Sequence, residues 1–292
     1  MIIVKLQGGL GNQMFQYAIG KNLSMIKNVP LKLDINFYKN NDHRKYLLNN
    51  YNIFESFASL EEVLKIGYRG LSGIYGSIYK RFQKILPIRL RTIIYENYLK
   101  PYNNKVLNTG KTIYLDGYWQ SEKYFHQNRY QIKQLFSNPK RVSEDIMNYC
   151  KKILKCKSVS IHIRRGDYVT NPETSKVHGI CSLEYYHKSM EFIASKEKDV
   201  QFFIFSDDLH WVMENFQSNY YFELVNFKDN SSPVEELWLM SQCKHHIIAN
   251  SSFSWWGAWL SQNPQKMVIA PKKWFNQKTN TKDLLPSHWK QI

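Results

Sequence analysis

Long apolar runs are missing from the chain, and so are the features of an export signal. No uninterrupted apolar stretch approaches the roughly 18 residues that a membrane-spanning helix needs. The first residues have neither the basic segment nor the small-residue cleavage site of a signal peptide. The sequence therefore predicts a cytoplasmic protein.

Cysteine is scarce, and its spacing excludes the common metal and redox motifs. The four cysteines, at positions 150, 156, 181 and 243, include no CxxC pair and are expected to stay reduced. His245 and His246 have no partner at a metal-binding spacing, which favours a structural role for both. An Asp-x-Asp signature is absent as well, because Asp207 and Asp208 are adjacent, so no metal is expected.

Acidic residues are outnumbered, since 24 Asp and Glu stand against 40 Lys and Arg, for a formal net charge of +16. Such an excess attracts anionic partners, which include nucleotide sugars, nucleic acid and acidic lipid. No basic run is interleaved with aromatic residues, and no nucleic-acid-binding motif is present, so nucleic acid is not expected. Peripheral attachment to an anionic membrane that carries a lipid-linked acceptor is a hypothesis that the charge favours.

What the chain does have is a short apolar strand that ends in charged residues, in the segment VSIHIRRGDY. Ligands of open α/β sheets bind beyond the carboxyl ends of the strands. With Ile161 and Ile163 on one buried face, period two directs His162 and Arg164 to the other face. A guanidinium there holds an anion through two parallel hydrogen bonds, whereas Arg165 is expected to pair with an acidic neighbour. The alternative is a surface Arg–Asp pair that caps a strand.

A glycine-rich turn follows the first predicted strand, in the segment GGLGNQMFQYA that begins at Gly8. A strand, a glycine turn and a helix start together present main-chain N–H groups to phosphate. Asp34 supplies the acidic position of a dinucleotide-binding fingerprint. The match is incomplete, because Met14 replaces the third glycine that lets the helix pack closely. A dinucleotide-dependent oxidoreductase, the rival enzyme, rests on this segment alone.

Polar residues also follow two other predicted strands. The segment NSSFSWWGAWL offers hydroxyls and helix-start N–H groups that suit a pyrophosphate, or it is an ordinary cap before a tryptophan-rich core helix. The segment FSDD ends in paired carboxylates that bind ribose or base, or that start the next helix at its positive end. For Glu235, three residues after Ser232, a capping-box role outweighs a nucleotide-binding one.

Strands and helices alternate through the second half of the chain, as a doubly wound parallel sheet requires. We predict strands there at 159–163, 201–205, 221–225, 246–249 and 267–270, and helices at 182–195, 208–216, 233–243 and 253–261. In the first half we predict strands at 2–6, 31–34 and 112–115, a helix at 12–27, and a surface turn over 81–91 around Pro87. The predicted fold class is α/β of the GT-B type, with two Rossmann-like domains facing a cleft, a boundary near 150–157, and a tail from 276 that crosses back.

Five segments in order, GGLGNQMFQYA, DGYWQSEKYF, HIRRGDYV, FSDD and NSSFSWWGAWL, resemble the motif set of the bacterial α-1,2-fucosyltransferases of glycosyltransferase family 11. This family is also similar to plant and animal blood-group-type fucosyltransferases. The resemblance runs from Lys5 to Trp274, with no motif between 36 and 108. It implies the GT-B fold, with residues 1–155 on the acceptor side, 156–275 binding GDP-fucose, and 276–292 as the tail.

The resemblance implies inverting transfer of L-fucose from GDP-β-L-fucose to the 2-hydroxyl of a galactose-type acceptor. The departing GDP gains negative charge, so fixed cations and N–H donors are required. Arg164 and Asn12 are the catalytic candidates, with Asp167 favoured over His162 as the base, unless Asp167 holds Arg164 or the Gly166 turn. The predicted donor-binding residues are Gly9, Gly11, Asn12, Arg164, Ser206, Asp207, Asp208, Asn250, Ser251, Ser252, Phe253 and Ser254.

Acceptor-binding residues are predicted from aromatic side chains, which pack on the apolar face of a pyranose. Tyr118, Trp119 and Gln120 follow a predicted strand, and their alternative role is core or hinge packing. His178 lies in the segment after RRGDY and is a candidate acceptor-facing lid, while Cys181 is expected to be inert. The alternative to an enzyme is a carbohydrate- or RNA-binding module, which predicts oligosaccharide or RNA affinity without GDP.

Overall fold

The computed structural model describes residues 1–39, 41, 43–67, 73–96, 101–227, 232–277 and 279–292, which divide into two α/β units. Unit 1 comprises Met1–Leu135 and Asn280–Leu284, and unit 2 comprises Phe136–Thr279 and Leu285–Ile292. The division falls before the predicted boundary because the helix Glu144–Lys155 buries its apolar residues against Phe203 and Phe205 of unit 2. Part of the predicted tail, Asn280–Leu284, belongs to unit 1.

Unit 1 contains a four-stranded parallel sheet in the order β2-β1-β4-β3. Its strands are β1 Ile2–Lys5, β2 Leu31–Asp34, β3 Ile93–Tyr95 and β4 Ile113–Asp116. Its helices are α1 Leu10–Lys27, α2 Asn36–Lys39, α3 Leu60–Lys65, α4 Gly73–Ile85 and α5 Arg129–Ser137, the last of which ends in unit 2. Short 3-10 turns occur at Leu48–Asn50, Ile88–Leu90, Asn104–Asn108, Glu122–Tyr124 and His126–Asn128.

Two elements of unit 1 differ from the prediction. Strand β3 is missed because its three residues are too few to show a periodic pattern. The predicted surface turn over 81–91 is wrong in its first half, where α4 continues to Ile85. The helix persists there because Tyr79 and Gln83, one turn apart, face the core of the unit.

Helix α1 lies close against β1 because Gly20 has no side chain. A Cβ at this position would lie 2.8 Å from Cδ1 of Leu31 and 3.1 Å from Cγ1 of Val4. Met14, where the fingerprint requires glycine, is fully buried in the core. The close packing of helix on strand thus depends on Gly20 and not on the third position of the dinucleotide fingerprint.

Unit 2 contains a six-stranded parallel sheet in the order β10-β9-β8-β5-β6-β7. Its strands are β5 Lys157–Ile163, β6 Val200–Ser206, β7 Phe222–Leu224, β8 His245–Ile247, β9 Val268–Ala270 and β10 Lys290–Gln291. Its helices are α6 Glu144–Lys155, α7 Gly166–Thr170, α8 Pro172–His178, α9 Leu183–Lys196, α10 Leu209–Asn215, α11 Pro233–Gln242 and α12 Ser252–Leu260. The predicted alternation of strands and helices is confirmed, and β10 is an addition from the tail.

Helices cover both faces of the unit 2 sheet, as they do in parallel sheets generally. Ile161 and Ile163 pack with α9 on one face, and Phe203 and Phe205 pack with α6 and α11 on the other. From β5 the chain builds the sheet outward to β7, then returns to β8 and builds in the opposite direction. The neighbouring ends of β5 and β8 therefore form the topological switch point, where doubly wound sheets bind ligands.

Within the described ranges, no helix is both long enough and apolar enough to cross a bilayer.

Candidate functional site

Arg164 lies at the carboxyl end of β5, at the switch point, and two carboxylates hold its side chain. Nη2 lies 2.5 Å from Oδ1 of Asp167, and Nη1 lies 2.8 Å from Oδ2 of Asp207. Burial disfavours the charged guanidinium, but the two carboxylates outweigh it and raise the pKa of Arg164 above its usual value. A guanidinium has five N–H donors, so these two contacts orient the group and leave further donors to meet a ligand.

Arg165 pairs with an acidic neighbour, as expected. Its Nε lies 3.1 Å from Oδ2 of Asp208, and its guanidinium carbon lies 3.8 Å from the ring centre of Trp211. The backbone N–H of Arg165 donates to Oδ1 of Asp207 at 2.8 Å. The two arginines therefore differ in partners, and only Arg164 is held at the edge of the sheet by Asp167.

The two carboxylates that follow β6, those of Asp207 and Asp208, bond to other residues of the protein. Asp208 caps α10 by accepting the N–H of Trp211 at 3.1 Å, and its own N–H donates to Oγ of Ser206 at 3.0 Å. Asp207 approaches the turn so closely that a Cβ at Gly166 would collide with its carboxylate. Helix initiation, the alternative reading of FSDD, thus describes Asp208, and Asp207 positions Arg164.

Arg164 and the start of α12 lie side by side at this edge. Strands β5 and β8 are neighbours, paired as far as Ile161 and Ile247, and Arg164 and Asn250 follow them three residues later. Tyr168 joins the two segments, with its ring centre 5.4 Å from the guanidinium carbon and its hydroxyl donating to the Asn250 carbonyl at 3.1 Å. The positive end of a helix and a fixed cation therefore converge, and both favour an anionic ligand.

The residues predicted to bind ligand at the start of α12 fall into two groups, according to whether their side chains bond to the helix itself. The hydroxyl of Ser251 accepts the N–H of Phe253 at 3.3 Å, and the buried hydroxyl of Ser254 donates to the Ala249 carbonyl at 3.2 Å. These two serines serve the helix itself. Ser252 and Phe253 are half-buried in the first turn, which places their backbone N–H groups at the positive end of the helix.

Asn250 holds three segments together, and the prediction that its side chain binds donor is not favoured. Its Nδ2 lies 2.9, 3.2 and 3.0 Å from the carbonyl oxygens of His178, Gly179 and Trp274. Its Oδ1 accepts the thiol of Cys181 at 3.5 Å. The residue is 2 % exposed, so these contacts use the amide completely.

We expect Asn250→Asp to lower the melting temperature by about 5–10 °C, because it turns a carboxylate toward three buried carbonyls. Thermal unfolding followed by circular dichroism measures the shift. Ser252→Ala, two residues away, is the control and should melt within about 2 °C of the wild type. An Asn250→Asp protein that kept its melting temperature but lost GDP binding would make Asn250 a ligand contact instead.

His162 lies on the face of β5 that α12 covers, and it is only 2 % exposed. Its ring centre lies 5.5 Å from that of Phe253. Burial, reinforced by the charge of Arg164, lowers the pKa of His162 to about 3, so the imidazole is neutral at working pH and a poor base. The prediction that it faces an open crevice is wrong because both faces of this sheet are core. Its Nδ1 finds no hydrogen-bond partner among the residues described here.

A carboxylate that the sequence analysis missed lies at the start of α11. The predicted capping box between Ser232 and Glu235 is confirmed, with both reciprocal hydrogen bonds present. Glu236, the next residue, is half-buried, and burial first and the charge of Asp207 second raise its pKa to about 7, against the effect of Arg164. Its carboxylate thus lies within electrostatic reach of the Arg164–Asp207 pair.

The packing of α11 on α12 sets the position of Glu236. One turn beyond it, Met240 packs against Gly257, where a Cβ would lie 3.2 Å from that of Met240. One turn back from Gly257 is Phe253, so Glu236 lies beside the first turn of α12. The sequence signal that could have identified Glu236 is the second glutamate of the segment PVEEL, because the capping box uses only the first.

The predicted donor residues of the glycine turn lie in unit 1. Gly8 has a φ of +79°, Gly9 precedes the first turn of α1, and Gly11 is buried within that turn. The Oδ1 of Asn12 accepts Nε2 of Gln120 at 2.7 Å. A Cβ on Gly9 would lie 3.5 Å from Nη1 of Arg44, so a cation lies beside this turn that the sequence analysis did not single out.

Of the three residues predicted to line an acceptor site, Trp119 is core. It is 1 % exposed, with a φ of +57°, whereas Tyr118 is exposed and Gln120 half-buried. The N–H groups of Tyr118 and Trp119 donate to one oxygen of Glu96 at 2.6 and 2.7 Å. Core packing, the alternative for this segment, therefore describes Trp119. The backbone of the segment turns around the half-buried carboxylate of Glu96.

Three further histidines and Cys181 contact other residues of unit 2. The His178 ring stacks on that of Tyr168 with centres 4.7 Å apart, and burial lowers its pKa. Burial raises the pKa of Cys181 to about 11, which agrees with an inert thiol. His246 Nδ1 lies 2.8 Å from Oγ of Ser160, and His245 Nδ1 accepts the N–H of Met267. Across the described segments, no group of three or more metal-ligating side chains occurs.

Comparisons with protein families, sequences and solved structures show what this chain is similar to. Residues 1–292 match the family model described as glycosyl transferase family 11. The alpha-1,2-colitosyltransferase of Escherichia coli is 36% identical over 297 residues, which cover 100% of this chain and 99% of that protein. The galactoside 2-alpha-L-fucosyltransferase SEC1 of Bos taurus is 27% identical over 158 residues, which cover 52% of this chain and 43% of that protein.

Among solved structures, the fucosyltransferase NodZ from Bradyrhizobium resembles this chain with a TM-score of 0.52. The sequences are 13% identical, and the match covers 92% of this chain and 94% of that one. Likeness at this identity shows the fold and not the activity. The predicted α/β class of the GT-B type is confirmed.

Proposed function

The chain belongs to glycosyl transferase family 11, and we propose that it transfers a 6-deoxy-L-hexose from a GDP donor to the 2-hydroxyl of a galactose-type residue, with inversion to an α linkage. L-Fucose is the first candidate sugar. The names of two relatives support transfer to position 2, one with colitose and one with fucose on a galactoside. The observation that carries the proposal is Arg164, which two carboxylates hold and which Tyr168 links to Asn250, just before α12.

The departing diphosphate is the group that these residues suit. Negative charge grows on it as the glycosidic bond breaks, and donors already in position stabilise that charge without reorganising. The Arg164 guanidinium supplies a fixed fork, and the N–H group of Ser252 supplies the positive end of α12. Because cations and N–H groups do this work, we expect turnover to persist when divalent metals are chelated.

Asp167 is better placed to position Arg164 than to take a proton. One oxygen of its carboxylate contacts the Arg164 guanidinium at 2.5 Å, so this ion pair orients both side chains. We propose that it is a positioning residue. A loose transition state requires only weak base assistance, so the acceptor hydroxyl does not depend on a strong base.

Glu236 is our candidate for recognition of the guanine base. Guanine presents two parallel N–H donors, from N1 and the 2-amino group, and an ionised carboxylate accepts both. Its carboxylate forms no hydrogen bond with any residue that the structure describes, although it lies near Asp207 and the start of α12. Adenine and uracil do not present that pair, so Glu236 would select GDP.

We expect the affinity of the wild type for GDP to fall about tenfold between pH 8 and pH 6, because a carboxyl with a pKa of about 7 loses its charge over that range. Glu236→Gln should bind GDP more weakly at pH 8 and show a flatter pH profile. Calorimetric titration at both pH values measures this. The phosphates of GDP also titrate between pH 6 and pH 8. The pH dependence that remains in Glu236→Gln measures their contribution. Equal profiles for the two proteins would contradict the assignment.

Stability provides the control for Glu236. Its pKa is raised on folding, so the folded protein loses stability as pH rises from about 4.5 to about 7. Glu236→Gln should therefore melt higher than the wild type at pH 8, and the gain should vanish near pH 4. Glu235→Ala is the neighbouring control and should melt lower because the capping box is lost. A variant that is more stable but binds GDP less well is the signature of a binding carboxylate.

The donor and acceptor are tested together by incubating the protein with GDP-fucose or GDP-colitose and a panel of β-galactosides, some of them lipid-linked. Mass spectrometry of the products, with and without EDTA, reports sugar, acceptor and metal dependence. Colitose lacks the 3-hydroxyl of fucose, so a site that binds this hydroxyl should strongly prefer fucose.

A thermal shift with GDP but not with NAD would separate the proposed glycosyltransferase from the rival oxidoreductase. The absence of product from every donor and acceptor pair would contradict the proposed transfer reaction.

A further inference from the structure

Helix α4 of unit 1 exposes an apolar stripe. Ile78, Phe82 and Ile85 are 60%, 55% and 82% exposed, and their i, i+4, i+7 spacing sets them in one row along the helix. The core-facing side is a different one, because Tyr79 packs into the core and Gln83 is 4% exposed. The stripe is therefore not the face that the fold of unit 1 buries.

Gln83 anchors the inward side and so fixes which side faces out. Its Nε2 donates to the hydroxyl of Tyr79 at 3.0 Å, and its Oε1 accepts the N–H of Thr92 at 3.2 Å. Beyond the helix, Arg91 donates to the carbonyls of Lys84 and Leu86 at 2.6 and 2.9 Å. These bonds satisfy the carboxyl end of α4 and hold the outward stripe in place.

The stripe lies in a segment that carries cations and no acid. No Asp or Glu occurs from residue 63 to residue 95, and five Lys and Arg fall between residues 80 and 91. Lys80, Arg81 and Lys84 are exposed. At roughly 100° per residue, Arg81 borders the apolar stripe and Lys84 lies next to Arg81 around the helix. The exposed side of α4 is thus half apolar and half basic.

We propose that this surface, the α4 face (Ile78, Phe82 and Ile85 with Arg81 and Lys84), docks onto an anionic lipid bilayer. A helix that lies in the plane of a membrane inserts its apolar side below the headgroups and meets anionic headgroups with basic side chains. The 13 residues of α4 are too few to span a bilayer, so the helix lies on it. A second copy of the chain fits less well, because it would bring the same cations together.

The test is flotation of the protein with vesicles of phosphatidylcholine, alone or with about 30% phosphatidylglycerol, at about 0.05 M and 0.5 M salt. The wild type should bind the anionic vesicles at low salt and release them at high salt. Ile78→Ser/Phe82→Ser/Ile85→Ser should bind at least tenfold less, and Arg81→Gln/Lys84→Gln should lose most of the salt-dependent part. Wild type that fails to bind anionic vesicles, or binding that salt does not weaken, would overturn the proposal.

The matched control is Met147→Ser/Leu154→Ser/Met213→Ser, which removes three side chains of unit 2 that are 40%, 59% and 63% exposed. Equal loss of binding in both triple variants would show that the α4 face is not the docking surface. Gel filtration reports whether the stripe variant changes the oligomeric state, which would make the face an interface between copies. Turnover on a soluble acceptor should be unchanged, so this test fails or succeeds separately from the proposed reaction. If the triple variant does not fold, Phe82→Ser and Ile85→Ser singly, each with a smaller expected loss, replace it.

Discussion

Arg164→Lys is expected to lower kcat about a hundredfold, with a smaller rise in the dissociation constant for GDP. A lysine keeps the charge but loses the planar fork that meets two oxygens at once. The interaction strengthens as the leaving group gains charge, so its loss falls mainly on the transition state. Steady-state kinetics with the best donor and acceptor, together with GDP calorimetry at pH 8, measures both quantities.

Arg165→Lys is the matched control for this prediction. Arg165 pairs with Asp208 and stacks on Trp211, so its replacement should lower the melting temperature and change kcat only a few-fold. If Arg164→Lys kept near wild-type turnover, or if both variants lost activity equally, Arg164 would not be the group that stabilises the departing diphosphate.

Asp167→Asn is expected to lower kcat about 10- to 100-fold while the acidic limb of the pH–rate profile is retained. The amide cannot hold the guanidinium as the carboxylate does, so Arg164 loses its orientation, and a catalytic group out of place costs rate without changing which group titrates. A pH–rate profile of kcat for the variant and the wild type makes the measurement. Loss of the acidic limb in the variant would instead make Asp167 the general base.

Asp207→Asn also tests whether the carboxylates act by orienting Arg164, because Asp207 contacts the other terminal nitrogen of the guanidinium. Asp207 holds Arg164 at 2.8 Å, so this variant should show the same fall and the same profile as Asp167→Asn. The double variant should lose less than the product of the two single effects, because both carboxylates act through one group. Asp208→Asn, which removes the partner of Arg165, should have a much smaller effect on kcat.

Local patterns in the sequence predicted the local parts of this structure. Period two along β5 placed His162 on the face opposite Ile161 and Ile163, and Arg165 has the acidic partner that was expected. The serine, proline and glutamate before α11 predicted its capping box, and the alternation of strands and helices predicted the parallel sheet. These features depend on neighbours a few residues apart, which a sequence displays directly.

Contacts between distant segments were the part that the sequence could not supply. Asn250 belongs to a motif that suits a pyrophosphate, yet its amide faces the carbonyls of His178 and Trp274. His162 was expected in a crevice, but α12 covers that face of β5. Glu236 went unnoticed because its relevance comes from Asp207 and from the packing of α11 on α12. Each of these cases concerns what lies opposite a side chain, and that is set by tertiary packing.

A crystal structure of the protein with GDP is the most direct test of the central claim, that Arg164 and the start of α12 grip one diphosphate. The account predicts diphosphate oxygens about 3 Å from the Arg164 guanidinium and from the N–H group of Ser252, with guanine on the carboxylate of Glu236. A diphosphate bound elsewhere, with Arg164 contacting only Asp167 and Asp207, would contradict it.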